Sequence, residues 1–159
     1  MLNMGFFYFP TIYNKKKIMA LISKYFEDFE LVGPEFIKTN LPVKWFIDKE
    51  LLSVLDALRE EFGPITINNW KSGGQYKESG LRMPNTGTGA SFSQHKFGKA
   101  ADLKFKNHTV QDVYKAILAN EAKWVAKGLT TLENITATPS WLHIDVRNTG
   151  SDKILIVNP

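Results

Sequence analysis

Two short segments place the strongest constraint on what this chain folds into. Ser93–Asp102 reads SQHKFGKAAD, and Trp141–Asp145, about 40 residues later, reads WLHID. They hold two of the three histidines of the chain, and each segment also contains an aspartate. A catalytic zinc site takes three protein ligands, such as imidazole and carboxylate groups, and keeps a fourth position for water. A chain that uses these residues as ligands must fold so that the two segments meet.

The residues between the first two candidate ligands are small. Gly98 and Ala100 lie between His95 and Asp102 and add little bulk. The loop that carries His95 can therefore fold back onto the strand that carries Asp102. We expect both side chains to reach one ion.

The pattern Ser-x-His-x-x-Gly-x-Ala-x-Asp, completed by the later Trp-x-His-x-Asp, resembles the zinc D-alanyl-D-alanine metallopeptidases of bacteria and their phages. This family includes carboxypeptidases, dipeptidases and phage endolysins that act on peptidoglycan. The resemblance covers roughly residues 64–159 and points to a phage-type member. It implies that His95, Asp102 and His143 bind Zn²⁺. It also implies hydrolysis of a peptide bond in the stem peptides of peptidoglycan, by a carboxypeptidase or by a cross-bridge endopeptidase.

The carboxylate that handles the proton of the attacking water is not at its usual place. Many members of the family carry an acidic residue three positions before the last histidine, and this chain has Ser140 there. Asp145 and Glu133 are the remaining acidic candidates. Alternation along a strand places Asp145 on the same face as His143, where it can fix the imidazole through its second N–H or accept a proton. We therefore prefer Asp145, with a simple ion pair to Arg147 as the alternative.

Substrate recognition is expected from the long loop between Lys71 and Phe92, which holds five glycines and one proline. The family commonly has Gly-Tyr-Arg-Ser where this chain has residues 69–72, so Lys71 replaces an arginine that contacts the substrate. A lysine offers a point charge without the planar fork of arginine. Arg82 lies in the same loop and is predicted to supply that fork to a peptide carboxylate. By resemblance, Ser93 hydrogen-bonds the peptide near the metal.

The order of helices and strands predicts a single α+β domain over residues 18–159. Apolar residues at helical spacing between Ile47 and Phe62 indicate a core-packing helix, which Gly63 and Pro64 end. We expect a small antiparallel sheet backed by helices, with the zinc site between a loop–strand segment and a later strand. Strands are predicted at 64–70, 101–105, 129–133, 141–147 and 153–157, and the further helices at 109–118 and 121–126.

Composition limits the classes of partner. Hydrophobic residues make up 43% of the 159-residue chain, which is typical of a globular protein. The absence of cysteine excludes disulfides and thiolate ligands, so any metal site uses nitrogen and oxygen. A net charge of +4 suits an anionic partner such as a bacterial wall. No stacking motif or basic helix indicates a specific nucleic-acid partner.

Residues 1–17 are expected to form an extension or arm ahead of the domain. An apolar aromatic run comes before Lys15, Lys16 and Lys17, whereas a secretory signal has its charge before its apolar run. The run is also too short to span a bilayer. We therefore expect no signal peptide and no transmembrane segment, with synthesis in the bacterial cytoplasm and release at lysis or on a virion.

The arm also supports a second hypothesis from a different functional class. An aromatic N-terminal arm can dock on other virion proteins. The departure at Ser140 fits a chain with little or no catalytic activity. The alternative function is therefore a phage structural or wall-docking protein that keeps the peptidase fold.

Overall fold

A computed structural model describes residues 23–159, so the expectation for residues 1–17 falls outside the described chain. Within that range three α-helices come first, followed by two strands, two further α-helices and three strands. The helices are α1 (Asp28–Leu31), α2 (Pro34–Ile37), α3 (Lys49–Phe62), α4 (Val110–Ala119) and α5 (Glu121–Val125). The strands are β1 (Ile65–Thr66), β2 (Ala100–Phe105), β3 (Thr131–Glu133), β4 (Leu142–Asp145) and β5 (Leu155–Val157). None of the helices in residues 23–159 has the length and apolar character needed to cross a bilayer.

The five strands form one sheet in the order β1-β2-β4-β3-β5. The pairs β1/β2, β2/β4 and β3/β4 are antiparallel, and β3/β5 is parallel. The predicted α+β class is confirmed, but the sheet is mixed where a wholly antiparallel one was expected. Strand β4 is already paired on both edges, with β2 and β3, so β5 pairs with the free edge of β3. The chain reverses direction after β4, and β5 therefore runs parallel to β3.

Helix α3 is the longest helix of residues 23–159 and supports the sheet as its spacing predicts. Asp48 caps it by accepting a hydrogen bond from the Glu50 N–H at 2.9 Å, and it ends at Gly63 with φ 78°. The same N-terminus holds the turn that follows His95, because the Asp48 N–H donates to the Gly98 carbonyl at 2.9 Å. The side chains of α3 that enter the core are Leu51, Leu52, Val54, Leu55, Ala57, Leu58 and Phe62.

The first predicted strand is much shorter than expected. Regular pairing covers only Ile65 and Thr66, and residues 70–72 form a 3-10 turn. The indole N–H of Trp70 donates to the Val32 carbonyl at 2.9 Å. This bond draws the chain away from the sheet toward the segment after α1, so Trp70 has a structural role.

Strand β4 separates the core from the candidate site by alternation. Leu142, Ile144 and Val146 are buried in the hydrophobic core. His143 and Asp145 are buried on the other face, as the period of two predicts. The sheet therefore presents His143 and Asp145, from the second segment of the motif, to a region outside the apolar core.

Candidate metal centre

Three elements bring the predicted ligands together. His95 lies in the 3-10 turn Gln94–Phe97, Asp102 on β2 and His143 on β4. The antiparallel register of β2 and β4 places Asp102 directly opposite His143. All three side chains are buried.

The candidate ligand atoms are close to one another. His95 Nε2 lies 3.3 Å from His143 Nδ1 and 3.3 Å from Asp102 Oδ1. His143 Nδ1 lies 2.8 Å from Asp102 Oδ1. Ligands at the usual zinc distances of about 2.0–2.2 Å are roughly 3.3 Å apart when they form a tetrahedron. The group of His95, Asp102 and His143 can therefore bind a metal ion.

The His95 imidazole is oriented by the backbone. Its Nδ1 lies 2.8 Å from the carbonyl oxygen of Gly80. A carbonyl only accepts, so Nδ1 carries the proton and donates it, which leaves the Nε2 lone pair for a metal. Sequence reasoning missed this partner, because a backbone carbonyl in a long loop gives no signal in the residue pattern.

Negative charge around the cluster favours a cation. Burial raises the pKa of Asp102, but hydrogen bonds with His143 and His95 outweigh it and hold the pKa well below its usual range. Burial lowers the pKa of His143, but hydrogen bonds with Asp102 and Asp145 outweigh this effect and raise the pKa above its usual value, to about 9. The surrounding carboxylates therefore stabilise positive charge at the position of the ligand atoms, and a metal cation supplies such charge.

Arg82 contacts the candidate metal centre directly. Its Nη2 donates to Asp102 Oδ2 at 3.0 Å, and its side chain is 11% exposed. Its Nε donates to the Glu78 carbonyl at 2.6 Å, and its backbone N–H donates to the His95 carbonyl at 3.1 Å. We expected this fork to bind a substrate carboxylate, but the structure pairs it with the carboxylate of a candidate ligand.

Asp145 lies on the far side of the His143 ring from the ligand atoms. Its Oδ2 is 3.5 Å from His143 Nε2, and its side chain is 0% exposed. Arg147 binds both carboxylate oxygens of Asp145. Burial raises the pKa of Asp145, but hydrogen bonds with His143 and Arg147 outweigh it and lower the pKa to about 2. From the sequence, a contact with His143 and an ion pair with Arg147 are alternatives for Asp145. In the structure Asp145 makes both.

Glu133 lies on the side of the cluster that opens outward. It is on β3, next to β4 in the sheet, and its Oε1 is 3.7 Å from His143 Nδ1. Its side chain is 16% exposed. Unlike Asp145, Glu133 lines the same groove as the candidate ligands. Strand β3 therefore brings the Glu133 carboxylate to the cluster, although this residue is not at the position of Ser140, where the family usually has its acid.

A groove of about 660 Å³ leads to the three candidate ligands. Ser93, which is predicted to hydrogen-bond the peptide, lines this groove. Lys71 does not line it, because its Nζ lies 4.2 Å from the centre of the Phe29 ring. The groove is also lined by Arg82, Glu133, Trp141 and Arg147.

The predicted residues thus divide into two groups. The structure brings together the three candidate ligands and both acidic candidates, whereas Lys71 lies elsewhere on the surface. Comparison of the chain with protein-family models, with curated proteins and with solved structures found no match.

Proposed function

We propose that this protein is a zinc-dependent hydrolase of a peptide bond in bacterial peptidoglycan. The observation that carries the proposal is the cluster of His95 Nε2, Asp102 Oδ1 and His143 Nδ1, separated by 2.8–3.3 Å at the base of an open groove. Two imidazoles and one carboxylate suit Zn²⁺ and match three-ligand catalytic sites. The substrate class rests on the resemblance of the two motifs to the D-alanyl-D-alanine metallopeptidases.

His95, Asp102 and His143 would hold the zinc ion, which when bound would supply an activated water and polarise the scissile carbonyl. We assign the proton transfer to Glu133, because its Oε1 is beside the ligand cluster and open to the groove. This carboxylate accepts a proton from the attacking water at Oε1 and returns it to the leaving amine. In this proposal Glu133 has the same role as the acidic residue that many family members carry at the position of Ser140.

We assign Asp145 a positioning function. Its carboxylate faces His143 Nε2, so it holds the ring with Nδ1 directed at the ion. Arg147 fixes this carboxylate in turn. Because the Asp145 side chain is fully buried and does not line the groove, a substrate water has no direct path to it.

Digestion of purified sacculi by the zinc-loaded protein tests the proposal. We expect new soluble muropeptides, and mass spectrometry of these fragments identifies the bond that is cut. His95→Ala and His143→Ala are the matched controls, and both should lose zinc and activity. Binding of the protein to sacculi without new fragments would instead support the phage structural or wall-docking function.

A further inference from the structure

A lysine lies beside the candidate metal centre, and no acidic side chain of residues 23–159 forms an ion pair with it. Lys104 is on β2, two residues after Asp102, and residues two apart in a strand share a face. Its Nζ donates to Ser79 Oγ at 2.6 Å and to the Asp102 carbonyl at 3.2 Å. It also lies 4.2 Å from the centre of the Tyr76 ring. Several neutral groups therefore hold the ammonium in one place.

The charge of this ammonium is not paired within residues 23–159. The ion pairs of the described residues include none with Lys104. The carboxylate of Asp102 is already engaged by Arg82, His95 and His143. A partly buried cation loses hydration, and a bound anion would offset that loss.

Lys104 opens onto a cavity that adjoins the groove. The cavity has a volume of about 300 Å³ and shares Arg82, Asp102 and Trp141 with the groove over the ligand cluster. Tyr76 and Ser79, which contact the Lys104 ammonium, also line it. A peptide that lies in the groove can therefore extend past Trp141 toward Lys104.

We propose that Lys104 and Ser79 form a subsite for a carboxylate of the peptide substrate. The assignment rests on the proposed function, because it takes the groove over the ligand cluster as the place of the scissile bond. Residues two apart in a strand are separated by about 6.6 Å, and an extended peptide advances about 3.3–3.6 Å per residue. The carboxylate therefore belongs to a residue within about two positions of the bond that is cut.

Two sources can provide this carboxylate. One is the C-terminal carboxylate of a stem peptide, which makes the enzyme a carboxypeptidase. The other is a side-chain carboxylate of an acidic residue within the stem, which is compatible with an endopeptidase. Lys104 offers a point charge without the geometry of a fork, so peptides that differ only in one charged group distinguish the sources.

The test uses the zinc-loaded full chain and two pairs of synthetic stem peptides. One pair differs only in a free or amidated C-terminus, and the other only in a free or amidated acidic side chain. We expect the parental protein to bind the free acid of one pair about 10- to 100-fold more tightly than its amide, the range for a charged hydrogen bond. Lys104→Met should remove this preference, whereas the exposed control Lys115→Met should keep it.

Binding by calorimetry and hydrolysis by chromatography are measured in parallel on the same peptides. Equal binding of acid and amide in both pairs by the parental protein overturns the subsite, and this result requires no folded variant. An unchanged preference in a folded Lys104→Met variant overturns it as well. A binding preference that depends on Lys104, with no hydrolysis of any peptide, overturns the proposed function and leaves the subsite in place.

Discussion

The carboxylate of Glu133 lies 3.7 Å from His143 Nδ1, on the side of the imidazole that faces the groove. Asp145 lies at the opposite edge of the same ring, 3.5 Å from Nε2, and is fully buried. One imidazole thus stands between two carboxylates with different access to solvent. On this difference we base the proposal that Glu133 exchanges protons with the attacking water and that Asp145 orients His143.

The first prediction concerns these two carboxylates. Glu133→Gln should lower kcat by about 10²-fold or more, because it removes the proton acceptor in the groove. Its zinc affinity should stay close to that of the parent. Asp145→Asn should instead weaken zinc binding by about 10- to 100-fold, because it removes the partner that orients His143. Competition with a chelator and steady-state rates at saturating zinc measure the two effects separately.

The opposite pattern would reverse our assignment. If Asp145→Asn lost kcat at saturating zinc while Glu133→Gln kept it, Asp145 would be the proton acceptor, as alternation along the strand first led us to expect. The Glu133 side chain would then be a surface charge beside the groove.

The second prediction concerns Arg82. Arg82→Met should weaken zinc affinity, because Asp102 Oδ2 loses its partner and the His95 segment loses part of its support. We expect a change of about 10-fold or more, with Arg82→Lys in between. Zinc content after dialysis against a chelator provides the measurement. A loss of turnover with zinc affinity unchanged would favour the substrate-carboxylate role that the sequence indicated.

The cluster of candidate ligands was predictable from the sequence because two of its features are local. His95 and Asp102 are joined by a short turn, and the alternation of β4 determines the face on which His143 lies. The pairing of β2 with β4 is long-range, and so are the bond from the Asp48 N–H to the Gly98 carbonyl and the contact of His95 Nδ1 with the Gly80 carbonyl. We could infer the pairing of β2 with β4 because Asp102 and His143 can reach one ion only if these two strands are neighbours.

The position of Glu133 beside the candidate ligands was not predictable in the same way. The proximity of Glu133 to His143 depends on β3 lying next to β4, and the sequence does not state strand order. Similarly, the path of the loop after β1 depends on distant contacts such as the bond from Trp70 to Val32. That path places Lys71 over Phe29, outside the groove.

The third prediction tests the turn between the first two ligands. Gly98 has φ 68°, and a Cβ on it would lie 1.7 Å from the Phe46 carbonyl oxygen. Gly98→Ala should therefore destabilise the protein by about 2 kcal/mol or more and reduce zinc binding, because the backbone must shift. Gly73→Ala is the matched control, since Gly73 has φ 82° with nothing within 4 Å of its Cβ position. It should cost only about 1 kcal/mol and leave zinc binding unchanged. Equal effects of the two variants in denaturant unfolding and zinc titration would show that the contact with Phe46 does not limit the turn.

The last prediction concerns Asp48, which joins the start of α3 to the same turn. Asp48 Oδ2 accepts a hydrogen bond from Lys99 Nζ at 2.6 Å, and Oδ1 accepts one from the Glu50 N–H at 2.9 Å. Burial raises the pKa of Asp48, but these hydrogen bonds outweigh it and lower the pKa below its usual value. The lowered pKa means that the charged form stabilises the fold above about pH 4, and that this stability is lost as the pH falls through the folded-state pKa.

Two substitutions at this position separate charge from capping. Asp48→Asn keeps a good cap and removes the ion pair, so it should cost at most about 1 kcal/mol at pH 7, given the partial exposure of Lys99. Asp48→Ala removes the cap as well and should cost about 1 kcal/mol more. Urea unfolding at pH 7, 5 and 3 should show the gap between the parent and Asp48→Asn narrowing toward pH 3. A gap of constant size across this range would mean that the carboxylate charge does not stabilise this junction, and that the Asp48 N–H bond to Gly98 holds the turn without it.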